Sequence, residues 1–122
     1  MKKTVLSSLL CCGFSVVSQN SFALDCQALA EQASQRSAMY SPRVSMQVVG
    51  QKGYRSHFYS APSESCKYSN LFLIPNDSVI AYDEVTMGGQ SWVSVMYVRK
   101  GGDTVEGWMK RKDFKVTGRI GF

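Results

Sequence analysis

The chain has 122 residues, 44% of them hydrophobic and 19% charged, with a formal net charge of +5. That length holds one small domain. The positive balance is mild, which excludes a polyelectrolyte-style binder and leaves modest attraction to acidic partners.

The chain opens MKKTVLSSLLCCGFSVVSQNSFALDC. Lys2 and Lys3 supply a positive start, Thr4 to Val17 an apolar and small-residue stretch, and Ser21 and Ala23 the small residues of a signal-peptidase site. The apolar stretch is shorter than the roughly 20 residues that cross a bilayer. Residues 1–23 are therefore expected to be a cleaved signal peptide, which makes the mature protein periplasmic or secreted, without stable membrane insertion. Leu10, Cys11 and Asp25 precede Cys11, Cys12 and Cys26, and none is the small residue that lipid attachment prefers. An exported chain is also an improbable partner for nucleic acid. Cleavage removes Cys11 and Cys12 and leaves Cys26 and Cys66 in an oxidising compartment, where they are expected to form a disulfide. Bridges to other chains stay open at this point.

Asp25 to Tyr40 reads as a short helix with Asp25 as its N-cap. Cys26, Leu29, Ala30, Ala33, Ser37 and Tyr40 share one face at helical spacing, a thin stripe that must lean on the rest of the protein. Ser41-Pro42 ends it, since the residue before proline avoids helical angles. A helical segment over 24–43 thus precedes a second one, 44–122, where the periodicity is that of short strands. Strands are expected over Val44–Val49, Tyr54–Tyr59, Ser78–Glu84, Trp92–Arg99 and Thr104–Met109, with Leu71–Ile74 as a short apolar piece and Lys115–Thr117 closing the sheet. Ser60–Asn70 reads as a long polar loop, TMGGQ as a glycine loop, KGGD as a hairpin turn and Lys110–Phe114 as a single helical turn. The fold class is mainly β. Five or six short antiparallel strands after one helix are expected to close into a small barrel, which removes exposed edges.

The segments GYRSHFYSAPSESC, IPNDSVIAY, SWVSVMYV and EGWMKRKDF, in that order, resemble the bacterial SH3-like (SH3b) domain family. Ser60-Ala61-Pro62-Ser63 matches the segment after the first strand, Asn76-Asp77-Ser78-Val79 the Gly-Asp-x-Val style turn, Trp92 the tryptophan opening the third strand, and Gly107-Trp108-Met109 the Gly-Trp-Val closing strand. The resemblance covers roughly Gly53 to Val116, with Asn76 in place of the usual glycine and Met109 in place of the usual valine. It implies an SH3-like barrel in which Arg111-Lys112-Asp113-Phe114 is the turn before the last strand, with Phe114 pointing inward. It also implies a shallow ligand groove lined by Tyr59 and Trp92, with Tyr82 or Trp108 beside them.

Little in the chain points to catalysis. His57 is the sole histidine, and neither a metal nor a nucleophile set accompanies it, so it reads as a strand residue on a partly exposed face. Asp83 and Glu84 are adjacent, so along a strand they point to opposite faces, unlike paired glycosidase carboxylates. They read as solvated strand-end residues, and Asp83 is a candidate to meet a cation on a partner. In Trp92–Val98, alternation puts Val93, Val95 and Tyr97 inward and leaves Trp92 near the surface. The aromatic rings then either line the groove or cap a barrel too small to hide them. Gly107 lets two strand backbones approach closely. Lys110, Arg111, Lys112 and Lys115 form a basic patch diluted by Asp113, a solvated turn or a rim for an acidic partner, with Arg111 as its candidate contact.

No catalytic residues, cofactor or metal are expected, and the expected work is binding. The leading expectation is a protein partner, such as a secreted toxin or envelope enzyme that this chain would inhibit as an immunity-type protein. The alternative is peptidoglycan peptide or glycan, the ligand class that the SH3b resemblance implies.

Overall fold

A computed structural model of the chain describes residues 21–120. The expected leader lies, up to residue 20, outside the described residues. One helix and seven strands follow: α1 (Ser21–Arg36), β1 (Ala38–Val48), β2 (Ser56–Tyr59), β3 (Lys67–Leu73), β4 (Ser78–Met87), β5 (Gln90–Val98), β6 (Thr104–Lys110) and β7 (Phe114–Ile120). Short 3-10 turns precede β3 (Glu64–Cys66) and β7 (Arg111–Asp113). The strands form one antiparallel sheet in the order β3-β2-β6-β5-β4-β1-β7.

The mainly β fold with a preceding helix is as expected, but four details differ. The sheet has seven strands and does not close, so β3 and β7 remain as edges. The helix stops at Arg36 and its expected last turn is instead the start of β1, where Ala38 and Met39 pair with Glu84 and Asp83 of β4. Sheet pairing here outweighs the helical spacing of Ser37 and Tyr40. Asp25, expected as the N-cap, lies inside the helix. Finally, Lys67–Asn70 belongs to β3 rather than to a loop, and all four of its residues are exposed, which is why no alternation betrayed it.

Where alternation is strong, the reading holds. Met87 pairs with Gln90 across Gly88 and Gly89, whose φ values of 62° and 76° are those of a tight I′-type hairpin turn that side chains disfavour. Pro42, which lacks a donor for the ladder, falls where β1 and β4 shift register between Met39 and Val44.

The sheet carries apolar clusters on both faces. Inside its curl, Val44, Met46, Val48, Phe58, Leu73, Val79, Ala81, Val93, Val95, Met109 and Phe114 pack together, so the inward positions of Val93, Val95 and Phe114 match the sequence. Gly107 sits against this core: a Cβ there would lie 3.2 Å from Phe58 Cδ2 and 3.3 Å from the Tyr59 carbonyl, the close approach that the sequence suggested. On the opposite face, Tyr59, Val85, Met87, Trp92 and Trp108 pack beneath α1, against buried Ala33 and half-buried Leu29. The thin alanine stripe is thus a fit to bulky rings, since a small side chain lets the helix come down onto them. Cys26 of α1 is bonded to Cys66 in the 3-10 turn before β3, and Arg36 donates to the Thr86 carbonyl (3.3 Å).

Candidate binding surface

Tyr59, Trp92 and Trp108 do come together, but under cover. Tyr59 and Trp92 meet edge to face with ring centroids 4.9 Å apart, and the Trp92 indole N–H donates to the Met87 carbonyl at 3.4 Å. Trp92 is only 2% exposed, which corrects its expected place near the surface. Period two assigns it to the face opposite Val93 and Val95 as expected; what the sequence did not reveal is that α1 covers that face. The three rings form a second core instead of an open groove.

Lys110 closes the rim of this cluster. It lies 5.6 Å from the Tyr59 ring centroid and is ion-paired with Glu64, whose carboxylate also accepts from the Tyr59 hydroxyl at 3.4 Å. Burial raises the Tyr59 phenol above its ordinary value. The Lys110 hydrogen bond holds the Glu64 carboxyl below its ordinary value. Burial disfavours the Lys110 ammonium, but Glu64 and Tyr59 outweigh that and raise its pKa.

The remaining expected residues lie apart from those rings. Tyr82 is at an irregularity of β4, between the paired positions Ala81 and Asp83, where one extra residue re-aims the chain. It is half-buried, donates to Met96 Sδ at 3.5 Å, and has the Arg43 guanidinium 4.8 Å from its ring centroid. Asp83 is half-buried between Met39 and Ser94 on the flanking strands. Arg111 is held inward: it donates to the Phe114 carbonyl at 2.9 Å and lies 3.9 Å from Glu84, whose carboxylate also accepts from the Tyr40 hydroxyl. Burial, followed by that bond to Glu84, pushes the Tyr40 phenol up to about 12. Arg111 therefore braces the turn before β7.

The sequence suggests that Asp113 dilutes a basic patch in a solvated turn or partner-facing rim. It is instead 5% exposed, and its carboxylate accepts from Tyr54 and Ser56, each at 2.6 Å. The bond to Asp113 is the main reason that the Tyr54 phenol rises to about 12. This anchor ties the entry of β2 to the turn before β7. An acidic residue within a basic run is a faint signal for it, but partners more than fifty positions away carry none.

The open surface lies at the splayed end of the sheet. β2 meets β6 only at Tyr59–Trp108, and beyond that pair the β2–β3 and β5–β6 hairpins diverge. The gap is a cleft of about 310 Å³ with Phe58, Leu71, Tyr97 and Val105 in its walls and Arg99 at its rim. On the other side of Phe72 lies a larger cleft, about 520 Å³, between the β1–β2 connection and the β3–β4 turn, lined by Lys52, Arg55, Phe72, Ile74 and Pro75 among others. Arg55 stacks on Phe72, its guanidinium carbon 4.5 Å from the ring centroid, and His57 packs on the same ring at 5.5 Å. Burial first, then Lys67, Arg55 and Lys110, lowers the His57 pKa. Among the described residues no group of three or more His, Cys, Asp or Glu side chains is arranged to hold a metal, and no helix is long and apolar enough to cross a membrane. Comparisons of the chain with family models, with curated proteins and with solved structures found no match.

Proposed function

We propose that the chain is an exported SH3-like binding module that acts by occluding a partner protein of the cell envelope, in the manner of an immunity or inhibitor protein. The observation that carries this reading is the pair of clefts meeting at Phe72, apolar in their walls, the larger one also lined by Lys52 and Arg55, on a scaffold stapled by Cys26–Cys66. Volumes of this size suit a few inserted side chains of a partner. The SH3-like assignment draws support from the 3-10 turn Arg111–Asp113, which interrupts the chain between β6 and β7 and aims Phe114 into the core. Disulfide pairing suits an oxidising compartment.

The test is capture from the envelope in the producing cell. The full chain carrying a C-terminal tag is crosslinked in place, purified and analysed for bound protein at stoichiometric yield. The expected result is one dominant protein whose own activity the chain suppresses, with capture lost in Phe72→Ala. Sedimentation with purified cell-wall sacculi, without any stoichiometric protein, would replace this reading with wall binding.

A further inference from the structure

The larger cleft also indicates what kind of segment it receives. This step rests on the binding reading above and names the partner's chemistry. Its lining contains two cations, Lys52 and Arg55, and no carboxylate. Among the described residues neither cation is in an ion pair; the basic groups that are so engaged are Arg99, Lys110, Arg111 and Lys112. Asp77, in the adjoining turn, has its carboxylate engaged by the Ile74 backbone N–H at 2.9 Å. The site is thus electrostatically one-sided in a way that the described residues do not neutralise.

Arg55 is held in a way that suits a carboxylate. Its guanidinium carbon lies over the Phe72 ring, and among the described residues no hydrogen bond or ion pair engages its N–H groups, which leaves them for a two-pronged contact. Beside it, Phe72, Pro75 and Ile74 supply an apolar floor, and Ile74 is 49% exposed. β3, which carries Phe72, has one unpaired edge, so extended backbone can lie alongside it. A concave site with two cations is a poor fit to a lipid surface, which is recognised by clusters of about four to eight basic residues beside projecting apolar groups.

We infer that this cleft seats an extended acidic segment of the partner protein, with a carboxylate on Arg55 and an adjacent apolar side chain on Phe72, Ile74 and Pro75. Lys52 lies at the same rim and adds attraction without geometric selectivity.

The probe is a capped hexapeptide with the central sequence Asp-Leu-Glu-Phe between glycines, titrated into the disulfide-bonded, isotope-labelled chain while backbone amide shifts are followed. A counterpart with lysine for both acids and vesicles rich in anionic phospholipid are run alongside. The expected result is movement confined to residues 50–55 and 72–76, at least about tenfold weaker binding in Arg55→Glu, and an intermediate loss in Arg55→Lys, which keeps the charge but not the fork. Lys52→Glu should weaken binding less than Arg55→Glu. Both side chains are exposed, so the variants should keep the wild-type amide spectrum outside the cleft. Equal binding of the two peptides, shifts centred elsewhere, unchanged affinity in Arg55→Glu, or a preference for vesicles would each overturn the inference. The tagged-chain capture separates the two failures: a partner still captured by Arg55→Glu leaves the inhibitor reading standing and removes this cleft from it, whereas absence of any partner removes that reading whatever the peptide does.

Discussion

At the level of single residues, the decisive side chains are those that tie together parts of the chain far apart in sequence. Asp113 accepts from both Tyr54 and Ser56 while 5% exposed, so the hydroxyls stand in for the water that a carboxylate would otherwise keep. Replacing it with alanine leaves Ser56 buried without its acceptor, and Asp113→Ala should cost about 2–3 kcal/mol in urea unfolding. The same contact has a pH signature. The Tyr54 and Tyr40 phenols each rise to about 12 from an ordinary 10.0, the first chiefly by donating to Asp113, the second chiefly through burial. A folded-state pKa above the unfolded one means that the unfolded chain releases the proton first. The stabilisation is therefore complete below pH 10 and is lost as pH rises toward about 12. Tyr54→Phe should remove its share of that alkaline decline, so an unfolding series from pH 8 to 11.5 should show a shallower slope than the wild type. An unchanged slope would mean that the Tyr54–Asp113 bond does not persist in solution. Gly107 gives a third test at this scale. An added methyl would press on the Tyr59 carbonyl, which is backbone and cannot swing aside, so Gly107→Ala should lose about 1–3 kcal/mol of stability.

At the level of elements, α1 decides what the aromatic face is. Through it, Tyr59, Trp92 and Trp108 become core, and without it they would be an exposed aromatic patch. Among the described residues the helix is further tied down by Arg36 to Thr86 and by the Cys26–Cys66 bridge. A bridge across 40 residues stabilises by about 4 kcal/mol through the entropy it removes from the unfolded chain. Cys26→Ser with Cys66→Ser should lose about that much, and it should release α1 before the sheet melts. Tryptophan emission shifting red at denaturant concentrations where the β signal persists would show this, and coincident transitions would exclude it. This dependence also explains which parts of the structure could be read beforehand. β4, β5 and β6 were legible because each has a buried face, so alternation and glycine turns marked them. Cys26 and Cys66 were legible by counting. β3 was not, because Lys67–Asn70 is exposed on both faces, as an edge strand can be. The burial of Trp92 was not, because it depends on where a separate element docks, and alanines at helical spacing do not say what they press against. The clefts around Phe72 were hidden for a similar reason: Lys52, Arg55 and Ile74 become neighbours only through the β2–β3 pairing.

For the whole molecule, the unclosed sheet is the feature with the widest consequence. Two edges stay open, and a bare strand edge is a template for other chains. The two are equipped differently. Beside β3 lies the larger cleft, with Lys52 and Arg55 in no ion pair among the described residues. β7 carries Lys115 and Arg119, both exposed, on either side of Val116, which is itself 50% exposed. Two copies meeting along β7 would bring these like charges together at strand spacing, an arrangement that disfavours pairing. On this account the cations keep a hydrogen-bond-ready edge from pairing with itself. Lys115→Val combined with Arg119→Val should then make the chain associate, seen as a sedimentation coefficient that rises with concentration where the wild type's rises less. The effect should be largest at low ionic strength, where the wild-type repulsion is least screened. A double variant that sediments like the wild type at every concentration would show that something other than charge guards β7.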